Sequence, residues 1–257
     1  MPELPEVEWM RRGAEAALGR MLHVVEARCP RLPPLDGARG LVLRAVERRG
    51  KTLLLVLDGQ RLVIAPRMTG RLLRGDEGAR HPRLLLGFGG EDDLLWLVLD
   101  DPRRLATVEL CAAAAAEALL PPRPEPWPTR LSGEALQAAL GGGRGAIKVA
   151  LLDPHRLRGV GNIGAAEGCW RAGLDPRRPV DSLRPAEWAA LAEGLHAWAS
   201  AALADIGAGP LVLLHGGGES PFCVYGREGA PCLRCGAILS RTVDSGRSTF
   251  SCGGCQR

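Results

Sequence analysis

The first residues of the chain combine a proline with closely spaced carboxylates. The sequence opens Met-Pro-Glu-Leu-Pro-Glu-Val-Glu, so removal of Met1 would leave the secondary amine of Pro2 close to Glu3 and Glu6. An α-amino group has an ordinary pKa of about 7.7–8.0, so a good share of it is a neutral nucleophile at physiological pH. Such an amine attacks an electrophilic carbon and forms an iminium ion, which accepts electrons during elimination. The alternative is structural, since proline and acidic residues both favour the first turn of a helix.

A strong compositional bias draws attention to a second amine. Arginine supplies nearly all of the 33 basic side chains, and lysine occurs only at positions 51 and 148. The compact, titratable lysine ammonium is not interchangeable with a guanidinium. We therefore expect Lys51 to have a chemical role, with chance survival of a lysine as the alternative.

Two cysteine pairs near the C-terminus predict a metal site. Cys232 and Cys235 are separated from Cys252 and Cys255 by sixteen residues, a spacing typical of a four-thiolate zinc ribbon. We expect one structural zinc per chain; the alternative is two disulfides, which are rare in the cytoplasm. Arg247 lies between the pairs, either as a phosphate ligand or as a solvated turn residue. The other cysteines are expected to be small buried residues: Cys29, Cys111, Cys169 and Cys223.

A glycine-rich turn, Arg158-Gly-Val-Gly-Asn-Ile163, leads into a predicted helix over 162–172. Backbone N–H groups at such a helix start can approach an anion closely, and the helix dipole favours negative charge. We predict Asn162 as the N-cap, where its amide would either cap the helix or bond a phosphate oxygen.

Hydrophobic patterning divides the chain into three parts. A helix over 3–19 is followed by short apolar runs with turn signals between several of them, which indicates a β-sandwich or barrel. The runs are 22–28, 41–47, 52–57, 61–65, 71–74, 83–88, 94–99 and 105–110. A helix over 112–120 precedes the proline-rich segment 121–128, which cannot continue a helix. The later helices are predicted at 132–140, 145–152, 162–172 and 185–205, before a tail of short strands.

The charge balance is mildly basic, with a net charge of +4 and a pI near 8.7, and is compatible with nucleic acid. No apolar run reaches membrane-spanning length and no signal-peptide pattern opens the chain, so we expect no membrane partner and a cytoplasmic location.

Taken together, the motifs resemble those of the formamidopyrimidine-DNA glycosylase and endonuclease VIII family, and most closely its formamidopyrimidine branch. The shared motifs are Pro2–Glu8, Arg48-Arg-Gly-Lys51, Met68-Thr-Gly70, Asp101-Pro-Arg-Arg104, Gly159-Val-Gly-Asn-Ile163, Val224-Tyr-Gly-Arg227, and the cysteine pairs with Gly246-Arg-Ser-Thr-Phe250. The resemblance implies an α+β chain that binds DNA between its halves. Its parts would be an N-terminal helix on a β-sandwich (1–120), a linker (121–130), a helix–two-turn–helix domain (131–210) and a zinc finger (220–257).

The resemblance also implies a reaction, namely excision of damaged bases with cleavage at the abasic site. Pro2 would attack C1′ of the damaged nucleotide, and Glu3 would act as the general acid/base that opens the sugar. Glu6 would support the helix near the nucleophile, and Lys51 would contact phosphate at the lesion.

The implied partner is damaged double-stranded DNA, bound by a monomer in the bacterial cytoplasm at the nucleoid. The implied DNA-binding residues are Met68, Arg103, Arg104, Leu105, Asn162 and Arg247. Asn162 and Arg247 would hold the backbone. Met68 and Arg103 would fill the gap left by the extruded base, with Arg103 reading the base opposite.

Four departures from the family pattern leave the substrate open. Leu105 replaces a phenylalanine, Ala65-Pro-Arg67 replaces His-Leu-Gly, and Gly164 replaces a tyrosine. The segment between Gly207 and Cys223 is shorter than the loop that encloses oxidised guanine. Oxidised pyrimidines, ring-opened purines, abasic sites and bulkier adducts therefore stay as alternatives to 8-oxoguanine. A lyase-only enzyme and a non-catalytic lesion-binding protein are the alternative functions.

Overall fold

The structure is a computed structural model that describes residues 1–75, 78–90, 92–207, 222–244 and 246–257. The chain forms two compact units, Met1–Pro122 and Arg123–Arg257. The division falls within the segment predicted as a linker. The loop predicted to be short, between Gly207 and Cys223, lies mostly outside the described residues. Among the described helices, none combines the length and apolar character needed to cross a bilayer.

The first unit is a β-sandwich with a helix at its N-terminus. The helices are α1 (Leu4–Ala14) and α2 (Ala113–Leu119). The strands are β1 (Leu22–Ala27), β2 (Leu43–Arg49), β3 (Thr52–Leu57), β4 (Gln60–Ala65), β5 (Arg71–Arg74), β6 (Pro82–Phe88), β7 (Leu95–Asp100) and β8 (Thr107–Ala112). They form two antiparallel sheets, ordered β1-β6-β7-β5 and β2-β3-β4-β8.

Alternation along the strands builds a shared core from both sheets. On β3, Leu53, Leu55 and Leu57 are buried in one cluster with residues of β6 and β7. Val7 and Met10 of α1 join the same cluster and are fully buried, so the N-terminal helix is part of the core. At about 25 cal/mol per Å² of apolar surface, burial of such side chains fixes the helix firmly to the sandwich.

The second unit combines helices with a small antiparallel hairpin. Its helices are α3 (Gly133–Leu140), α4 (Ile147–Leu151), α5 (Asn162–Ala172) and α6 (Pro185–Gly207), and its hairpin pairs β9 (Ser240–Asp244) with β10 (Arg247–Ser251). Glycines allow α5 and α6 to approach closely: a Cβ on Gly168 would lie 2.5 Å from Leu195. The predicted α+β class is confirmed.

Several predicted boundaries differ from those observed. The helix predicted over 3–19 ends at Ala14 and tightens into a 3₁₀ turn over Glu15–Ala17, which satisfies carbonyls at the helix end. The strand predicted at 41–47 extends to Arg49, because the hairpin with β3 continues to the Arg49–Thr52 pair. The prediction that all four scattered cysteines are buried was wrong for Cys111 and Cys223, which are half-buried. Cys111 lies on β8, an edge strand of its sheet.

Glu167, in the middle of α5, anchors the segment that enters the cysteine-bearing tail. Its carboxylate is fully buried and accepts the backbone N–H groups of Cys223, Val224 and Tyr225 at 3.2, 2.8 and 3.0 Å. Arg171 donates to the same carboxylate at 2.6 Å. A buried carboxylate is tolerated when its lone pairs are used in this way.

We expect Glu167→Gln to lower the free energy of unfolding by about 2–3 kcal/mol, because hydrogen bonds to a charged acceptor contribute more than neutral ones. The matched control is Glu193→Gln, which breaks the exposed ion pair with Arg130 and should cost less than about 1 kcal/mol. Urea unfolding of both variants measures the difference; equal midpoints would contradict the anchoring role.

Candidate functional site

The start of α1 holds Glu3 and Glu6 in one hydrogen-bonded turn directly after Pro2. Glu3 is the N-cap, and its backbone N–H donates to the Glu6 carboxylate at 2.9 Å, closing a capping box. Glu3 and Glu6 are only 2% and 8% exposed. Burial, and then repulsion from Glu3, raise the pKa of Glu6. The predicted nucleophile is thus attached to a rigid helix start that carries the predicted general acid/base.

A buried ion network ties α1 to the turn that carries Lys51. Glu8 is 3% exposed and accepts from Arg48 at 3.3 Å, while Arg48 also donates to the Gly50 carbonyl at 2.9 Å. Gly50 has a φ of 60° and Lys51 follows it in a two-residue turn between β2 and β3, where glycine is favoured. Burial alone would raise the pKa of Glu8, but hydrogen bonds from Arg11 and other arginine contacts hold it below its usual value. The network fixes Lys51 relative to the first helix.

The residues of the first unit predicted to bind DNA, Met68, Arg103, Arg104 and Leu105, lie on two exposed loops. Met68 and Leu105 are 41% and 42% exposed, although both are large and apolar. Each loop contains a non-glycine residue in the left-handed region: Arg67 has a φ of 59° and Arg104 a φ of 54°. Such residues cost roughly 1–3 kcal/mol each and persist only where the surroundings enforce them.

The two loops are joined by residues that the sequence reasoning left without a role. The Thr69 hydroxyl donates to the Asp101 carboxylate at 2.5 Å, and Asp101 is fully buried. Both residues lie inside motifs quoted above. The sequence feature that could have indicated a role for Asp101 is its position at a strand end, directly before a proline and an arginine pair.

In the second unit, the Ser248 carbonyl joins the helices to the hairpin of the predicted zinc finger. Lys148 donates to it at 2.7 Å and the Asn162 amide nitrogen at 3.0 Å. The prediction of Asn162 as the N-cap was wrong: Gly161 is the N-cap of α5 and Asn162 is its first helical residue. Arg247, next to Ser248, is exposed at the start of β10. The shared acceptor therefore brings Asn162 close to the strand that carries Arg247.

Lys148 received no role from the sequence alone. It is 3% exposed and also donates to the Thr249 hydroxyl at 2.7 Å. Burial lowers its pKa to about 8. Its rarity as one of two lysines was the only available signal.

The four cysteines of the two pairs gather into one cluster. Their sulfur atoms all lie within 4.8 Å of one another, with Cys232 and Cys255 at 3.8 Å and Cys235 and Cys252 at 3.4 Å. Sulfur atoms bonded to a tetrahedral zinc at about 2.3 Å would be separated by similar distances. These separations are too long for disulfides, whose S–S bond is about 2.05 Å. The residues fit a closed structural zinc site.

Contacts outside the cluster orient the predicted zinc ligands. The Trp170 indole N–H donates to the Cys232 sulfur at 3.4 Å. The Gln256 side chain accepts from the Cys252 N–H and donates to the Leu174 carbonyl, both at 2.7 Å. Such contacts fix both the ligands and the attachment of the cluster to α5.

Three family models match successive parts of the chain. The model of the "Formamidopyrimidine-DNA glycosylase N-terminal domain" matches residues 1–108. The "Formamidopyrimidine-DNA glycosylase H2TH domain" matches 123–209, and the "Zinc finger found in FPG and IleRS" matches 229–257.

Full-length relatives and solved structures show the same likeness. The chain is 38% identical to a formamidopyrimidine-DNA glycosylase of Paracoccus denitrificans and 37% identical to one of Geotalea uraniireducens, with all of both chains covered in each comparison. It is similar to the MutM (Fpg) structure of Thermus thermophilus, with 33% identity, a TM-score of 0.83, and 99% and 98% of the chains covered. The Lactococcus lactis Fpg in complex with abasic-site DNA gives 26% identity and a TM-score of 0.86 over 99% of both chains. The chain therefore belongs to the formamidopyrimidine-DNA glycosylase family, whose members are DNA N-glycosylases and abasic-site lyases.

Proposed function

We propose that this chain excises damaged bases from double-stranded DNA through an iminium intermediate on Pro2 and then cleaves the strand at the abasic site. The observation that carries the proposal is the buried capping box at the start of α1, which joins Pro2 to Glu3 and Glu6 in a chain that matches this family along its whole length. Met1 is 39% exposed, so it is accessible for the removal that frees the Pro2 amine.

In the proposed reaction, the Pro2 nitrogen bonds to C1′ and loses its proton, and the damaged base leaves with the glycosidic electron pair and takes up a proton. Glu3 transfers a proton to the sugar ring oxygen, so that the ring opens and the amine becomes an iminium. The iminium accepts electrons as a proton leaves C2′ and the C3′–O bond breaks. Hydrolysis then returns the free amine. Glu6 holds the Glu3 backbone in place, and Lys51 binds phosphate beside the lesion.

For DNA binding, we assign phosphate contacts to Asn162 and Arg247 and gap filling to Met68, Arg103 and Leu105. Support comes from the exposure of the loop residues and from the Ser248 carbonyl, which holds Asn162 beside the strand of Arg247. Arg104, exposed in the same loop as Arg103, would add positive charge near the backbone. We place this monomeric protein in the bacterial cytoplasm, at the nucleoid, because the relatives named above are bacterial.

We propose oxidised or ring-opened bases as the substrate class. The Lactococcus lactis relative was solved with Fapy-dG DNA and with oxidised-pyrimidine DNA. A panel of lesion duplexes, scored separately for base release and for strand cleavage, tests this. Cleavage of abasic DNA without base release would favour the lyase-only alternative, and lesion binding without either product would favour the non-catalytic one.

The nucleophile assignment predicts that borohydride traps a covalent adduct between processed protein and abasic DNA, in which the DNA is attached to Pro2. Retention of Met1 should abolish trapping, because the Pro2 nitrogen is then an amide. Glu3→Gln should reduce base excision more than trapping on a preformed abasic site, where the first bond is already broken. Gel analysis of the trapped complex measures both effects.

Mass spectrometry of the trapped peptide separates the two candidate amines. Lys51 is the alternative nucleophile, since it is expected near the same sugar. A DNA adduct on Lys51 with Pro2 unmodified would overturn the assignment, and the N-terminal motif would then have only a structural role in the helix.

The phosphate assignment predicts that Arg247→Ala weakens binding to all duplexes about equally and reduces the slope of log affinity against log salt by about 1. Asn162→Ala should also weaken binding, with the fold preserved. The matched control is Arg130→Ala, since Arg130 is an exposed arginine paired with Glu193. Titrations at fixed ionic strength measure these effects; parent-like binding by both test variants would refute the assignment.

The zinc assignment predicts one metal ion per chain in active protein. Chelation should abolish DNA binding, because the ribbon has little core of its own and the metal supplies folding energy. Metal analysis gives the stoichiometry, and readdition of zinc should restore binding. Active protein with far less than one zinc per chain would contradict the prediction.

A further inference from the structure

We propose that Asp101 is the positioning residue that sets discrimination of the base opposite the lesion, because it fixes both loops that fill the DNA gap. The inference rests on the proposed function and deepens it. It assigns no direct DNA contact to Asp101, which is fully buried. The residues that touch DNA are those on the two loops it holds.

The Asp101 carboxylate accepts hydrogen bonds from both loops. One oxygen accepts from the Thr69 hydroxyl at 2.5 Å, directly after Met68. The other accepts from the Ala106 N–H at 2.8 Å, directly after Leu105. The Asp101 carbonyl also accepts from the Arg104 N–H at 3.2 Å, which closes the Asp101–Arg104 turn. One residue therefore determines the separation between Met68 and Leu105.

The backbone of both loops needs such a restraint. Arg67 precedes Met68 and Arg104 precedes Leu105, and both arginines occupy the left-handed region, with φ of 59° and 54°. Non-glycine residues stay in that region only where the surrounding structure enforces it. Thr69 and Ala106 are the points at which Asp101 supplies that restraint.

A buried guanidinium keeps the carboxylate in place. Arg83 of β6 is 3% exposed and donates to Asp101 at 3.2 Å and to the Ala106 carbonyl at 2.9 Å. Burial would raise the pKa of Asp101, but hydrogen bonds from Ala106, Thr69, Leu105 and Arg83 together hold it below its usual value. Asp101 is thus a charged acceptor at neutral pH, with both oxygens in use.

An amide at this position cannot make the same set of bonds. Asparagine offers one acceptor oxygen and an NH₂ donor. If the NH₂ group faces the Ala106 N–H, the second loop loses its restraint. If it faces Thr69, the hydroxyl must reverse and accept, and a neutral amide replaces the charged acceptor for both loops, so their restraint weakens. The loops then sample other conformations, and the gap-filling side chains no longer present one fixed surface to the opposite base.

The matched control is the adjacent carboxylate. Asp100 is also fully buried, but it binds Arg71 of β5 at 2.6 Å and the His81 N–H at 2.5 Å. Asp100→Asn removes an equally buried charge from the same strand end. It changes the hydrogen bonds to Arg71 and His81 and keeps the bonds between Asp101 and the two gap-filling loops. The two variants therefore separate loop positioning from general destabilisation.

The experiment measures kcat/KM on four duplexes that carry one lesion opposite each of the four bases. For Asp101→Asn, we expect the ratio between the best and the worst opposite base to fall at least fivefold. For Asp100→Asn, the ratio should stay within twofold of the parent. Thr69→Val should resemble Asp101→Asn, and Thr69→Ser, which keeps the hydroxyl, should retain the parent ratio. If Asp101→Asn fails to fold, comparison of Thr69→Val with Thr69→Ser provides the same test.

Equal loss of discrimination in the Asp100 and Asp101 variants would overturn the inference, as would a parent-like ratio in Thr69→Val. Borohydride trapping of the parent on abasic duplexes with each of the four opposite bases is scored in parallel, because it requires the Pro2 chemistry but no discrimination between opposite bases. Failure of that trapping would count against the proposed function itself, independently of the discrimination ratios.

Discussion

Buried carboxylates that accept several hydrogen bonds hold the functional segments of this chain on its regular elements. Glu8, Asp101 and Glu167 are between 0% and 3% exposed. Each connects a helix, or the end of a strand, to a segment with a proposed role. Glu8 connects α1 to the turn of Lys51, and Asp101 connects the end of β7 to the gap-filling loops. Glu167 connects α5 to the segment that enters the cysteine cluster. A buried carboxylate without partners would be strongly disfavoured in such places, so the geometry of each segment is tied to the hydrogen bonds of one side chain.

This arrangement suits a protein whose chemistry depends on a chain terminus. Chain termini are poorly ordered unless they are tied down, yet a nucleophile must be held in a narrow range of positions. Here Val7 and Met10 anchor α1 in the sandwich core, while Glu8 connects it through Arg48 to the Lys51 turn. Apolar burial supplies the stability, and the ion network fixes the position of the proposed nucleophile relative to the proposed phosphate ligand Lys51.

The sequence predicted the element types and the local chemistry better than the long-range pairs. The apolar runs, the acidic helix start and the cysteine spacing are local patterns, and the structure reproduces them with shifts of one to a few residues at most ends. The Arg83–Asp101 pair joins residues 18 positions apart, and Lys148 reaches Ser248 across 100 positions. No periodicity encodes such pairs, because they depend on the order of strands in the sheet and on the docking of a hairpin. The error at Asn162 was smaller: glycine at 161 took the N-cap, which left the amide to bind Ser248.

Gly164 stands where the family pattern has a tyrosine, and it shows that the effect of such a replacement depends on the residue that packs against the position. A Cβ at this position would lie 2.5 Å from the Trp198 ring, and Trp198 on α6 is 3% exposed. The indole therefore occupies space that a side chain at 164 would need. Interiors tolerate exchanges that conserve volume far better than cavities or overpacking. Because the volume is supplied from α6, α5 keeps a close-packed neighbour, and Asn162 at its first turn stays within hydrogen-bonding distance of Ser248. The absence of a tyrosine here consequently leaves the contact between Asn162 and Ser248 intact.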